Sequence, residues 1–157
     1  INRRGFVKFD SVSRDDWLLA GVAFLLVIDL LFLPWFSASV SIGSFSASFT
    51  ATATDAPDGA FGVLAVLSAV LLIADLAVER LSPGTTVPNI GGSRTQTRFV
   101  LACITALFVA LKFVFNIHFS DFGFGFYAAV VLTVGLVWVA FQTRSGTSVV
   151  GNIHVGR

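Results

Sequence analysis

The sequence predicts an all-α membrane protein, a four-helix transmembrane bundle with an extracytoplasmic β-hairpin between helices 1 and 2. Three observations predict it. The 157-residue chain is 55% hydrophobic and 12% charged, where a soluble domain runs at roughly 45–50% and about 25%. Its apolar residues gather into four runs of about 20 residues, each long enough to cross roughly 30 Å of hydrocarbon as a helix. One segment between the first two runs alternates with the period of a strand. A mean hydropathy of +0.88 excludes disorder and a water-soluble fold. The length suits one domain, residues 1–157.

The four runs are 17–36, 59–78, 99–119 and 122–143. Backbone polar groups have no water to meet in lipid, so each run is expected to be a helix. Ser13-Arg14-Asp15-Asp16 reads as a capping box for the first, and Pro34 marks its exit. Pro57-Asp58 opens the second, and Asp121 is a candidate cap for the fourth. The loop 79–98 is rich in Pro, Gly, Ser and Thr and is expected to be irregular. Helices three and four, joined by a very short connection, must be antiparallel neighbours.

Segment 37–54 alternates apolar and hydroxyl residues, and the phase flips after Gly43-Ser44. A two-residue type II′ turn at Gly43 and Ser44 explains the flip and pairs Ile42 with Phe45, Val40 with Ala47 and Ala38 with Phe49. One face is then apolar and the other carries hydroxyls. An isolated hairpin is marginal in water, so the apolar face needs a cover.

Nine of the ten basic residues lie before run one, between runs two and three, or after run four. The positive-inside rule therefore puts both termini in the cytoplasm and the chain in the plasma membrane as a multi-pass protein. Trp17 and Trp138 are expected at the inner interface, Trp35 and Tyr127 at the outer one. The C-terminal tail 144–157 is polar and is expected to be held by a partner. The chain opens on Ile1 and contains no Met, so further sequence upstream is expected.

Ionisable residues inside the runs are Asp29, Asp75 and Lys112, each costly in lipid and so a candidate for pairing or for a pathway. Asp29 and Lys112 both lie about 9 Å below the outer end, counting six residues at 1.5 Å. They are expected to form an intramembrane ion pair, against the alternative of a snorkelling Lys112 and a protonated Asp29. Asp75 shares a helical face with Ser68 and Glu79 and is expected to pair with Arg98 or Arg80. Thr105, Lys112 and Asn116 form a polar stripe on run three. Ala102, Ala106 and Ala110 repeat every four residues, a spacing that lets helices pack closely. Phe113, Phe115, Phe119, Phe122, Phe124 and Phe126 crowd the outer rim, where they face lipid or hold an apolar ligand.

Catalytic constellations, phosphate-cradling glycine loops and metal-ligand clusters are missing from the sequence pattern, so no catalytic residue, metal or cofactor is expected. Gly123-Phe124-Gly125 follows no strand, and His118 stands alone. A net charge of +1 leaves no footprint for nucleic acid. The single cysteine, Cys103, excludes an internal disulfide.

The Leu33-Pro34-Trp35-Phe36 exit, the Ser/Thr-rich outer loop and the Asp58-Gly59-Ala60-Phe61-Gly62-Val63-Leu64 opening resemble uncharacterised four-span membrane proteins of actinobacteria, over residues 17–143. That resemblance implies a topology and no activity. The topology is also loosely similar to that of claudins, without the Trp and paired Cys of the claudin outer loop. The leading expectation is a non-enzymatic structural or accessory subunit of a larger membrane complex, with the bilayer and other membrane subunits as partners. The alternatives are a small proton, ion or solute transport protein using Asp29, Asp75 and Lys112, and a protein binding lipid or an apolar pigment at the Phe-rich rim.

Overall fold

The computed structural model describes residues 13–55, 58–82, 85, 88, 90, 92–117 and 122–146. Four helices and one hairpin follow in the order α1 (Arg14–Phe32), β1 (Phe36–Ile42), β2 (Phe45–Ala51), α2 (Gly59–Leu81), α3 (Arg94–Phe115) and α4 (Phe124–Arg144). Three helices, α2, α3 and α4, are long and apolar enough to cross a membrane. The fourth, α1, has 19 residues and carries Arg14, Asp15, Asp16 and Asp29.

Local chemistry sets the helix ends. The Ser13 side chain accepts a hydrogen bond from the Asp16 N–H at 3.1 Å, and Asp15 and Asp16 in the first turn suit the positive end of the helix dipole. Pro34 disfavours helical geometry at Leu33, which is extended at φ −84°, ψ 143°, so α1 stops at Phe32 rather than at Phe36. Ser93 caps α3 by accepting from the Gln96 N–H at 3.2 Å. That cap starts α3 five residues before Phe99, and the loop expected over 79–98 is correspondingly shorter. The first turn of α4 has no side-chain cap. Instead Gly123 N–H donates to the Trp35 carbonyl at 2.8 Å and Gly125 N–H to the Pro34 carbonyl at 3.0 Å. The α1–β1 junction thereby satisfies donors that a helix start leaves open. Such an approach requires glycine: a Cβ at Gly123 would lie 2.2 Å from the Pro34 carbonyl oxygen. The expected cap Asp121, together with His118, Phe119, Pro57 and the tail beyond 146, lies outside the described residues.

The strands are antiparallel, with Ile42 opposite Phe45, Val40 opposite Ala47 and Ala38 opposite Phe49. Gly43 has φ 64° while Ser44 does not enter the left-handed region, the signature of a type II′ turn. The hairpin base is fastened by Trp35 N–H to the Ala51 carbonyl at 2.8 Å and by a bridge between Phe36 and Phe122.

Packing joins α1 to α2 and α4, and α3 to α2 and α4, so α1 and α3 occupy opposite corners. Each helix turns small or branched residues inward, such as Leu19, Ala23, Leu26 and Leu30 on α1, and Ala65, Ala69 and Leu72 on α2. Large apolar side chains, among them Phe24, Leu25, Leu71, Leu107 and Val131, are exposed around the outside. A core that mixes leucines with alanines, inside a shell of exposed large apolar side chains, suits packing in lipid, where apolar surface need not be hidden.

The loop after β2 presses against α2 at Gly62, where a Cβ would stand 1.9 Å from the Ala53 carbonyl oxygen. Gly62→Ala is therefore expected to lower stability by about 1–3 kcal/mol, as overpacking does. Gly21→Ala, with nothing within 4 Å, should be neutral or stabilising. Thermal unfolding of both variants in one detergent checks the contrast.

Candidate functional site

The buried polar residues form separate groups along the bundle. At the end away from the hairpin, five charged side chains from three helices converge. Arg98 on α3 is 3% exposed. Its Nε donates to Asp75 Oδ2 at 2.8 Å, its Nη1 to Asp16 Oδ1 at 3.5 Å and its Nη2 to Glu79 Oε2. Arg80 Nη2 donates to the other oxygen of Asp16. The two guanidinium groups thus tie α1, α2 and α3 together. Asp75 and Glu79 stand one turn apart on α2, which presents both to one side of α3. Of the two arginines expected for Asp75, the structure selects Arg98. A guanidinium suits this position because its planar fork serves several oxygens at once.

Two turns deeper, Ser68 and Thr105 share a hydrogen bond at 2.8 Å across α2 and α3. Ser68 Oγ also lies 3.0 Å from the Ala65 carbonyl and Thr105 Oγ1 2.9 Å from the Leu101 carbonyl. One hydroxyl donates to the other and the second to its own helix carbonyl, so both protons are spent within the pair and its helices.

At the hairpin end, Lys112 is fully buried, and its Nζ donates to the Asp55 carbonyl at 3.0 Å. It also stands 5.6 Å from the centroid of the Phe36 ring, within the range of a cation–π contact. Asn116 donates to the Lys112 carbonyl at 2.8 Å and to Asp58 Oδ2 at 3.5 Å. Asp55 and Asp58 therefore lie over the last turn of α3, where a cation also complements the helix dipole. Asp55 shapes that loop: its Oδ2 accepts from the Thr52 N–H at 2.7 Å and from the Thr52 hydroxyl at 2.8 Å. These two bonds hold the Asp55 carboxyl below its ordinary pKa.

Asp29 and Lys112 are not joined, which corrects the expected pair. The two residues sit on diagonal helices, and both lie within the last turn of their helix rather than 9 Å below its end. Trp35 takes the partner's place. Its Nε1 donates to Asp29 Oδ2 at 3.4 Å, and its ring meets Phe126 edge-on at 5.8 Å. Trp35 is 1% exposed, so it is core and not part of an interfacial belt, whereas Trp17, Trp138 and Tyr127 are exposed. Pro34 explains the difference, since it turns the chain back over the end of α1.

The Phe-rich rim also differs from expectation. Phe113, Phe122 and Phe126 stack on one another with centroids 4.4–5.7 Å apart and plug the hairpin end of the bundle. Phe115 and Phe124 are exposed. The alanine stripe divides as well: Ala102 is buried, Ala106 partly buried and Ala110 exposed, so only its first member packs in the core. Among the described residues, no group of three or more metal-ligating side chains occurs.

Compared with known proteins, the chain matches no family model, no curated protein and no solved structure.

Removing the Arg98 guanidinium leaves buried carboxylates without their counter-charge. Arg98→Ala is expected to cost about 3–5 kcal/mol, and Arg98→Lys to recover only part, because an ammonium cannot serve three carboxylates in this geometry. Thermal unfolding in detergent measures both. The Asp55 bonds stabilise the loop above the ordinary aspartate pKa of about 3.9 and are lost as pH falls through the lowered folded value. Exchange of the Thr52 amide should therefore be flat from pH 7 to 5, once corrected for intrinsic rates, and rise in the wild type alone below about pH 4. Asp55→Asn should remove that acid-dependent step.

Proposed function

We propose that this chain is a non-enzymatic accessory subunit of a larger plasma-membrane assembly, crossing the bilayer four times with both termini in the cytoplasm. In this reading α1 is the fourth span. Its first-turn acid Asp16 is neutralised by Arg80 and Arg98, and α1 packs along both α2 and α4. Apart from Lys112, which is buried at the hairpin end, the remaining basic residues fall at the end of the bundle away from the hairpin or in flanking segments, which supports the orientation.

The observation that carries the proposal is the hairpin's uncovered face. Val40, Ile42, Phe45 and Phe49 are 52%, 77%, 80% and 66% exposed. They share one side of a two-stranded ribbon whose other side is Ser37, Ser39, Ser41, Ser46, Ser48 and Thr50. No charged residue lies between Phe36 and Ala51. An amphipathic ribbon left bare by the described residues is the kind of surface that a partner subunit covers. The buried charges support a structural part too, since the cluster around Arg98, the Ser68–Thr105 pair and the Lys112 group are separated by apolar turns.

One observation favours a second reading, proton handling at Asp29. This carboxylate is 2% exposed, and its Oδ1 meets no hydrogen-bond donor among the described residues. A protein that moves protons through Asp29 would lose flux in Asp29→Asn proteoliposomes, whereas an accessory subunit would show no flux to lose.

The accessory role is tested by mild-detergent extraction from native membranes, followed by mass measurement of the complex. The wild type is expected in an assembly of defined mass larger than one chain. Burying a side chain the size of Ile42 or Phe45 contributes about 1.5–3 kcal/mol. The double variant Ile42→Ser, Phe45→Ser should therefore weaken association roughly a hundredfold or more while the helices stay folded. A wild-type chain that is always a lone monomer contradicts the proposal.

A further inference from the structure

A furrow of about 400 Å³ lies between α3 and α4, inside the range of roughly 300–1,000 Å³ typical of small-molecule sites. Ala106 and Thr133 lie at one end and Phe99 and Phe141 at the other, with Val137 and Trp138 between. The lining is almost wholly apolar. From Ala106 to Phe99 is seven residues of helix, about 10 Å. Val134, Trp138 and Phe141 are exposed, so the furrow opens sideways onto the surface that faces lipid. The small side chain of Ala106 leaves the space, which gives the second member of the alanine stripe a use other than close helix packing.

The mouth of the furrow carries a charge. Phe99, one of its lining rings, supports the Arg144 guanidinium, whose carbon stands 5.0 Å from the ring centroid. Arg144 is exposed, and no carboxylate of the described residues pairs with it. The furrow is about two helical turns long, too short to seat a membrane-spanning helix of about 20 residues. Its slender apolar trough, ending on a cation at the membrane interface, fits one hydrocarbon chain attached to an anionic head.

We infer that the α3–α4 furrow binds one anionic phospholipid, with an acyl chain between Ala106 and Phe141 and the phosphate at Arg144. This rests on α3 and α4 crossing lipid and is independent of the accessory role. The test uses the full chain purified in mild detergent and offered equimolar phosphatidylglycerol and phosphatidylcholine with matched acyl chains. Native mass spectrometry then counts the lipid retained. The wild type should retain phosphatidylglycerol about fivefold over phosphatidylcholine, the preference one basic residue near a membrane surface supplies. Arg144→Gln should bring that ratio to about one, while chain retention persists. Ala106→Phe, which fills the furrow, should reduce retention of both lipids severalfold, with circular dichroism unchanged. A preference that survives Arg144→Gln overturns the inference. Should Ala106→Phe misfold, Ala106→Leu gives the same test with less added bulk. If the filling variant leaves lipid retention intact but releases another protein chain, the furrow is a helix-docking site and the inference falls. Failure of the membrane reading is separable: a chain that stays dispersed without detergent removes the bilayer itself, whereas a detergent-dependent chain without the preference removes only the lipid site.

Discussion

One buried guanidinium fixes the arrangement of three helices. Arg98 binds carboxylates from α1 and α2 while itself belonging to α3. A charge in so apolar a setting is tolerable only when it is matched and hydrogen-bonded, so the three helix ends must meet where Arg98 is. The same requirement sets the sliding register of α2 against α3. Seven residues along α3 from Arg98 is Thr105, and seven back along α2 from Asp75 is Ser68, its hydrogen-bond partner. Seven further along α3 is Lys112, which reaches the loop before α2. A polar contact every two turns thus locks an antiparallel pair whose apolar residues alone would slide with little penalty.

The hairpin end is built by a different device. Pro34 stops α1 and reverses the chain, which drops Trp35 into the core over Asp29 and brings the Pro34 and Trp35 carbonyls to the start of α4. The short hairpin that follows inherits a firm base and a free tip. Stacked Phe113, Phe122 and Phe126 fill the space beneath it. The apolar ribbon face is thereby presented outward, where only something outside the described residues can cover it.

Much of this was legible in the sequence, for physical reasons that also mark where legibility ends. The hairpin was readable because a two-residue turn must reverse the alternation, and the flip at Gly43-Ser44 shows that reversal directly. Helices were readable because long apolar runs have few other solutions in lipid. Their ends were not, because hydropathy marks where hydrocarbon begins and not where the backbone stops. Arg94 to Arg98 is polar yet helical under the Ser93 cap, so hydropathy alone leaves Arg98 in a loop and drops one member from the polar stripe on α3. Hydropathy likewise sets Asp29 and Lys112 deeper than they are: each lies in the last turn of its helix. Spacing along a helix does not fix which neighbour each turn meets, which is why Ala102 is buried and Ala110 exposed, and Trp35 lies past the end of α1, where Pro34 folds it back into the core.

The most direct test of Arg98 as the bundle's organising charge is a double-mutant cycle of Asp75→Asn and Arg98→Gln, measured as unfolding free energies in lipid nanodiscs. A coupling energy of roughly 1–3 kcal/mol is expected for partners that share one buried network. Strictly additive losses, agreeing within about 0.5 kcal/mol, would mean that the two side chains do not hold each other and that the helices are set by something else.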